Sequence, residues 1–199
     1  MRPISRSHLN PTRFPNNPMG QSKMKSAGHC AQSEPMTQST QPVPFRIRLA
    51  TPDDLPRLVE LINSAYSIET FLEGTRTNLE RLAESMKTGK IFVMEDGEGN
   101  LLASAYTELR GARGYLGMLA AHPAHQGRGL AHRIFLAAQD HFRAHGCTAI
   151  DISVLSLRPE LLPIYRRFGF VETGTEPFHF PRTFKEQVEC HCILMSKAL

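Results

Sequence analysis

Gln126-Gly127-Arg128-Gly129-Leu130-Ala131 stands between an apolar run, residues 115–121, and an amphipathic stripe in which Ala131, Phe135, Ala138 and Phe142 recur at helical spacing. His122-Pro123 ends the run, and Gly146 is a fitting stop for the helix. The six residues therefore read as a strand-to-helix turn. The first N–H groups of a helix lack intrahelical partners and carry partial positive charge, so such a turn can hold an anion, and glycines let a phosphate approach the backbone. A glycine-rich turn before a helix is also often no more than a tight connection. The Gly-Lys-Ser/Thr ending of a P-loop is absent, and so is the third glycine of a dinucleotide fingerprint.

On the N-terminal side, Phe45-Arg46-Ile47-Arg48-Leu49 alternates as a strand does, and Thr51-Pro52-Asp53-Asp54 supplies an N-cap, a first-turn proline and acidic residues for a helix. Leu55, Leu58, Val59, Ile62 and Tyr66 mark the apolar face of that helix, and a second helix is predicted over residues 77–87. Residues 91–94 and 101–109 read as a hairpin around a turn at 96–100, and a further turn at 111–114 leads into a third meander strand. Beyond the central helix come a buried strand over 149–155, a short helix over 159–168, and strands over 170–173 and 187–195. That order predicts an α+β (mixed α/β) fold with one central, predominantly antiparallel sheet flanked by helices.

The hexapeptide also matches Gln/Arg-x-x-Gly-x-Gly/Ala, the pattern with which GNAT N-acetyltransferases bind the pyrophosphate of coenzyme A. Tyr165-Arg166-Arg167-Phe168-Gly169-Phe170 is similar to that family's Tyr-x-x-x-Gly-Phe. The resemblance covers residues 45–199 and implies a GNAT-like acyl-CoA N-acyltransferase fold. It implies that acetyl-CoA is the acyl donor and a primary amine the acceptor, joined by direct attack in a ternary complex. Backbone groups of Leu119, Ala120 and Ala121 would hold the acetyl and pantetheine parts, one strand N–H serving as an oxyanion donor. N–H groups of Gln126, Gly127, Arg128, Gly129, Leu130 and Ala131 would hold the pyrophosphate. Arg128 is either a charge beside phosphate or an exposed loop cation.

By the same resemblance Tyr165 faces the sulfur of coenzyme A. A phenol stays protonated at neutral pH and can give its proton to a departing thiolate, which makes Tyr165 the candidate general acid. Glu108, near the end of a meander strand, is the first candidate base, and His122 the second. Glu69 and Glu73 lie between the first two helices, a region that in this family often faces the acceptor, and could attract a cationic amine. Arg158 stands where many members carry Asn, a departure that touches the expected pantetheine contacts. The loop over residues 176–185, with Phe178, His179, Phe180 and Pro181, either shapes the acceptor site or anchors itself.

Residues 1–44 hold half of the fourteen prolines and no periodic apolar stretch, so they read as a disordered Pro/Ser-rich basic tail ahead of a domain over 45–199. Arg2, Arg6, Arg13, Lys23 and Lys25 against Glu34 account for the whole formal net charge of +4. The domain is balanced, which argues against a nucleic-acid partner. No long apolar run suggests a membrane segment, and the expected location is cytoplasmic, as a monomer or homodimer. The four cysteines are too few and too unevenly spaced for a disulfide framework. Cys190-His191-Cys192 resembles a zinc motif, but strand alternation sends its thiols and imidazole to opposite faces, so no metal is expected. Two other functions stand beside the acetyltransferase one: a non-catalytic acyl-CoA binding or sensing module, and a partner-binding protein acting through its tail.

Overall fold

The period-2 alternation of β2 (Lys90–Glu95) feeds a core on each face of the sheet. Ile91 and Val93 point to one face of the sheet, and Phe92 and Met94 to the other. A computed structural model describes residues 45–178 and 182–199. The expected disorder of residues 1–44 lies outside the described residues. The remaining strands are β1 (Arg46–Leu49), β3 (Leu101–Arg110), β4 (Arg113–Ala121), β5 (Ala149–Leu155), β6 (Val171–Pro177) and β7 (His191–Ala198). The helices are α1 (Leu55–Ala65), α2 (Leu79–Thr88), α3 (Leu130–Ala144) and α4 (Leu162–Arg167).

The strands form one seven-stranded sheet in the order β1-β2-β3-β4-β5-β7-β6. Every neighbouring pair is antiparallel except β4 with β5. The parallel pair follows from connectivity, because α3 carries the chain from the end of β4 back to the start of β5. On one face α3 buries Ile134, Phe135, Ala138 and Phe142 against Met94, Leu116, Ile150 and Ile152. On the other, Leu58, Leu61 and Ile62 of α1 and Leu82 of α2 cover Ile91, Val93 and Tyr106. Fully burying each of the larger ones, such as Ile134, Phe135 and Phe142, contributes roughly 1.5–3 kcal/mol, which makes the α3 stripe a principal stabilising element.

Several boundaries differ from the sequence expectation. The Thr51 cap opens a 3₁₀ turn, Pro52–Asp54, and the α-helix begins only at Leu55. Helix α2 starts at Leu79, not 77, because the Asn78 side chain caps it by accepting from the Arg81 N–H at 2.9 Å. Thr77 is buried instead, its N–H donated to Asn63. The stripe of α3 runs through Ile134, while Ala131 is only half-buried. β6 extends to Pro177, and β7 runs from His191 to Ala198 rather than 187–195, since its register along β5 pairs Leu155 with Cys192 and Ala149 with Ala198.

Candidate active site

β4 and β5 are neighbours over only three residue pairs, Arg113 with Ala149 through Tyr115 with Asp151, although both strands continue past that point. β5 stays paired with β7 along its whole length, and β4 stays with β3, so the sheet opens between them. In the ladder between β3 and β4, Tyr106 faces Gly117 and Ser104 faces Ala120, which leaves Met118 and Leu119 opposite the single residue Ala105. That is a β-bulge, and Met118 takes a φ of 44°, the left-handed region that a side chain disfavours. Residues 116–119 and 152–155 wall the resulting cleft, and Tyr66, Glu69, Arg76, Arg158, Leu161 and Tyr165 complete its lining.

Ala121 leads out of β4 to the turn that sequence had singled out. Gly127 and Gly129 have φ of 76° and 74°, and a Cβ on either would meet nothing within 4 Å. They are glycines for backbone conformation rather than for packing, and the space above them is open. Residues 126–129 are exposed, with the Gln126 amide donating to the Ala121 carbonyl at 3.5 Å, and α3 follows with Gly129 at its cap. The Leu130 side chain is buried in the core, which ties it to the fold, and Ala131 is half-buried. Arg128 is an exposed loop residue.

Tyr165 lies on α4 and lines the cleft, its ring edge-on to Phe168 at 6.2 Å and to Phe170 at 5.9 Å between centroids. Burial pushes its phenol pKa up, so the hydroxyl keeps its proton throughout the neutral range. Burial raises the phenols of Tyr66 and Tyr115, also in the cleft wall, in the same direction. Glu108 is not among the cleft-lining residues. Its carboxylate accepts from Arg110 at 2.8 Å and from the Tyr106 hydroxyl at 3.2 Å, and Arg110 holds its pKa below the usual range. His122 is also outside the cleft wall, where its Nδ1 accepts from the Ala124 N–H at 3.3 Å.

Glu69, expected to draw a cationic amine, is buried with Arg76, Arg158 and Arg182 around its carboxylate, so its charge is already met inside the chain. Glu73 instead accepts from the Thr183 hydroxyl at 2.8 Å. Segments 71–74 and 182–185 are joined by backbone hydrogen bonds from Glu73 to Thr183 and from Lys185 to Phe71. Phe178 packs on Phe184 at 4.7 Å beside this junction, while His179, Phe180 and Pro181 lie outside the described residues. Cys147, Cys190 and Cys192 are free thiols, and no group of three or more metal-ligating side chains occurs among the described residues. Sequence reasoning missed Tyr66, Arg76 and Tyr115 as cleft residues. Tyr66 had read as part of an apolar helical stripe, and nothing local marks an arginine that folding carries to a cleft.

A family model described as an acetyltransferase (GNAT) domain matches residues 60–180. The ribosomal-protein-alanine N-acetyltransferase from Brucella melitensis superposes with a TM-score of 0.61 at 18% identity, over 77% of this chain and 99% of its own. The protein yncA from Salmonella typhimurium, solved with its cofactor acetyl-CoA, gives 0.62 at 20% identity, over 77% and 93%. A spermidine N-acetyltransferase chimera built from Vibrio cholerae SpeG and hSSAT gives 0.63 at 21% identity, over 77% and 95%. No curated protein matches the chain in sequence. The structural likenesses establish a shared fold; the family model spans more than half of the sequence and covers both the bulged strand and the glycine turn, and the chain belongs to the GNAT acetyltransferase family.

Proposed function

We propose that this protein is an N-acetyltransferase that moves the acetyl group of acetyl-CoA to a primary amine by direct attack within a ternary complex. The observation that carries it is the opening between β4 and β5, bulged at Met118 and Leu119 and continuous in sequence with the two left-handed glycines before α3. An extended pantetheine arm fits an opened strand edge, and a pyrophosphate fits the open space above Gly127 and Gly129 at a helix N-terminus. Acetyl-CoA supplies a thioester, whose carbonyl carbon forms the new C–N bond as the C–S bond breaks.

Backbone groups of Leu119, Ala120 and Ala121 orient the arm, those of residues 126–131 hold the phosphates, and a bulge N–H takes the developing oxyanion charge. Tyr165 presents a protonated hydroxyl to the departing sulfur. Its raised pKa makes full transfer to a thiolate of pKa about 8.5 uphill, so its contribution is a strong hydrogen bond with solvent completing protonation. The proton of the amine leaves through water, because Glu108 is held by Arg110 outside the cleft wall.

Calorimetric titration with acetyl-CoA tests this, comparing the wild type with Gly129→Glu and with Gly129→Asn, since Asn tolerates a positive φ. Binding retained in the Asn variant and lost in a folded Glu variant is the expected result. Absence of binding to the wild type would remove the reading.

A further inference from the structure

Helix α4, which carries Tyr165, is six residues long and ends in a Schellman motif. The Phe170 N–H donates to the Tyr165 carbonyl and the Gly169 N–H to that of Arg166, both at 3.0 Å, with Gly169 at a φ of 92°. The Phe168 carbonyl at the C-terminal end is met from outside the helix, where Lys197 of β7 donates to it through Nζ at 2.7 Å. The same ammonium lies 5.0 Å from the centroid of the Phe135 ring, which stacks on Phe168 at 5.1 Å. A Cβ on Gly169 would lie 3.4 Å from the Lys197 Cε, so the lysine stem and the helix end are in close contact. Lys197 is itself fixed along the sheet by its pairing with Ile150.

The Tyr165 hydroxyl makes no hydrogen bond among the described residues, so the phenol is placed by the main chain of α4 and by its ring contacts with Phe168 and Phe170. A helix of this length has little stability of its own and keeps its place through tertiary contacts. A cation is the favourable partner for the last carbonyls, and a hydrogen bond from a charged donor is about twice as strong as a neutral one. We infer that Lys197 is a positioning residue for acetyl transfer: by holding the Phe168 carbonyl it fixes the C-terminal end of α4, and with it the Tyr165 hydroxyl, against the sheet. This rests on the acetyl-transfer reading. Lys197 is not among the cleft-lining residues, so it acts through Tyr165 and touches no reacting group itself.

The test is a double-mutant cycle on the full chain, read as thiol release from acetyl-CoA with whichever of spermidine, lysine and a peptide bearing a free N-terminal alanine is turned over fastest. Lys197→Met is expected to lower kcat about tenfold with KM for acetyl-CoA within about twofold, since a small misplacement of a reacting group is costly. In the Tyr165→Phe background the same change should cost less than about twofold, because the group it places is gone. Lys197→Arg, which keeps a charged donor, should recover part of the loss. With fluorotyrosine at the four tyrosine positions of the chain, Lys197→Met should move the fluorine resonance of Tyr165, identified by its loss in Tyr165→Phe, and leave those of Tyr66, Tyr106 and Tyr115 in place. An undiminished fall of kcat in the Tyr165→Phe background, equally slow Met and Arg variants, or a Tyr165 resonance that stays in place overturns the inference. So does movement of all four resonances, which marks a general structural role. Calorimetry of acetyl-CoA with the wild type separates the two failures: absence of donor binding sinks the acetyl-transfer reading, and the fluorine spectrum then still decides whether Lys197 places Tyr165.

Discussion

The hydroxyl of Tyr66 donates to the carbonyl oxygen of Leu119 at 3.3 Å, joining the C-terminal end of α1 to the bulged stretch of β4. The bond fixes a strand segment that has lost one-to-one pairing with β3, beside the left-handed Met118. Tyr66→Phe keeps the ring and its stacking with Arg76 but deletes the donor. We expect a stability loss of about 0.5–1.5 kcal/mol by urea denaturation. Turnover should fall by roughly tenfold, as misplacing reacting groups is costly. Full activity would mean that the bulge holds its shape without this bond.

Tyr165→Phe should leave acetyl-CoA affinity within about twofold and lower kcat on the order of 100-fold, the effect of removing one hydrogen-bond donor aimed at developing charge. The phenol pKa is raised above 10 by burial, so the protonated form persists as pH rises. The wild-type kcat profile should accordingly show no falling limb from this group between about pH 8 and 10. A variant as fast as wild type would mean that no hydrogen bond from this hydroxyl supports the departing sulfur.

Glu108→Gln is expected to change kcat by less than about threefold, because the ion pair with Arg110 makes this carboxylate a weak base. Both partners have access to solvent, so the stability change should also stay below about 1 kcal/mol. A large fall in kcat with an acid limb lost from the pH profile would make Glu108 the base after all.

Asp54 is 2% exposed and accepts from Arg48 at 2.6 and 2.9 Å, from Arg57 at 2.6 Å and from the Thr51 N–H at 2.8 Å. The Arg48 guanidinium, ahead of the other contacts, holds its carboxyl well below the usual carboxylate range. A depressed pKa contributes stability that is present above the unfolded value of about 3.9 and is lost as pH falls toward the folded one. Asp54→Asn should cost about 3 kcal/mol at pH 7. Its denaturation midpoint should then vary less than that of wild type between about pH 4 and 2.5. Equal pH slopes in the two proteins would contradict this account.

Gly114 sits in the short parallel pairing of β4 with β5, and a Cβ there would lie 2.4 Å from the buried Phe142 ring. Gly114→Ala should destabilise by about 1–3 kcal/mol through overpacking, read as a lowered thermal midpoint. An unshifted midpoint would show that α3 can retreat from the sheet.

The elements that sequence predicted best carry their signal within one turn or one strand. The stripe of α3, the strand β1 and the glycine turn all fall in this class, because side-chain period and the need for positive φ are local properties. Errors gathered at ends. Helix α2 begins at Leu79 rather than 77 because Asn78 caps it, and β7 shifted toward the C-terminus because its register is set by β5, not by its own composition. Of the candidate site, the Gln126–Ala131 stretch and Tyr165 were legible as family patterns, whereas Glu108 and Glu69 were judged on approximate position alone.

The sequence by itself determined the order of strands and helices, the turn with two glycines and the membership of the acetyltransferase family. Tertiary structure alone decided that β4 and β5 part after three residue pairs and that Met118 and Leu119 share one partner. It alone brought Arg182 to Glu69 across 113 positions of chain, with Arg76 and Arg158 beside it. Long-range charge pairing has no period and no local preference, so it exists only once packing has placed the groups together.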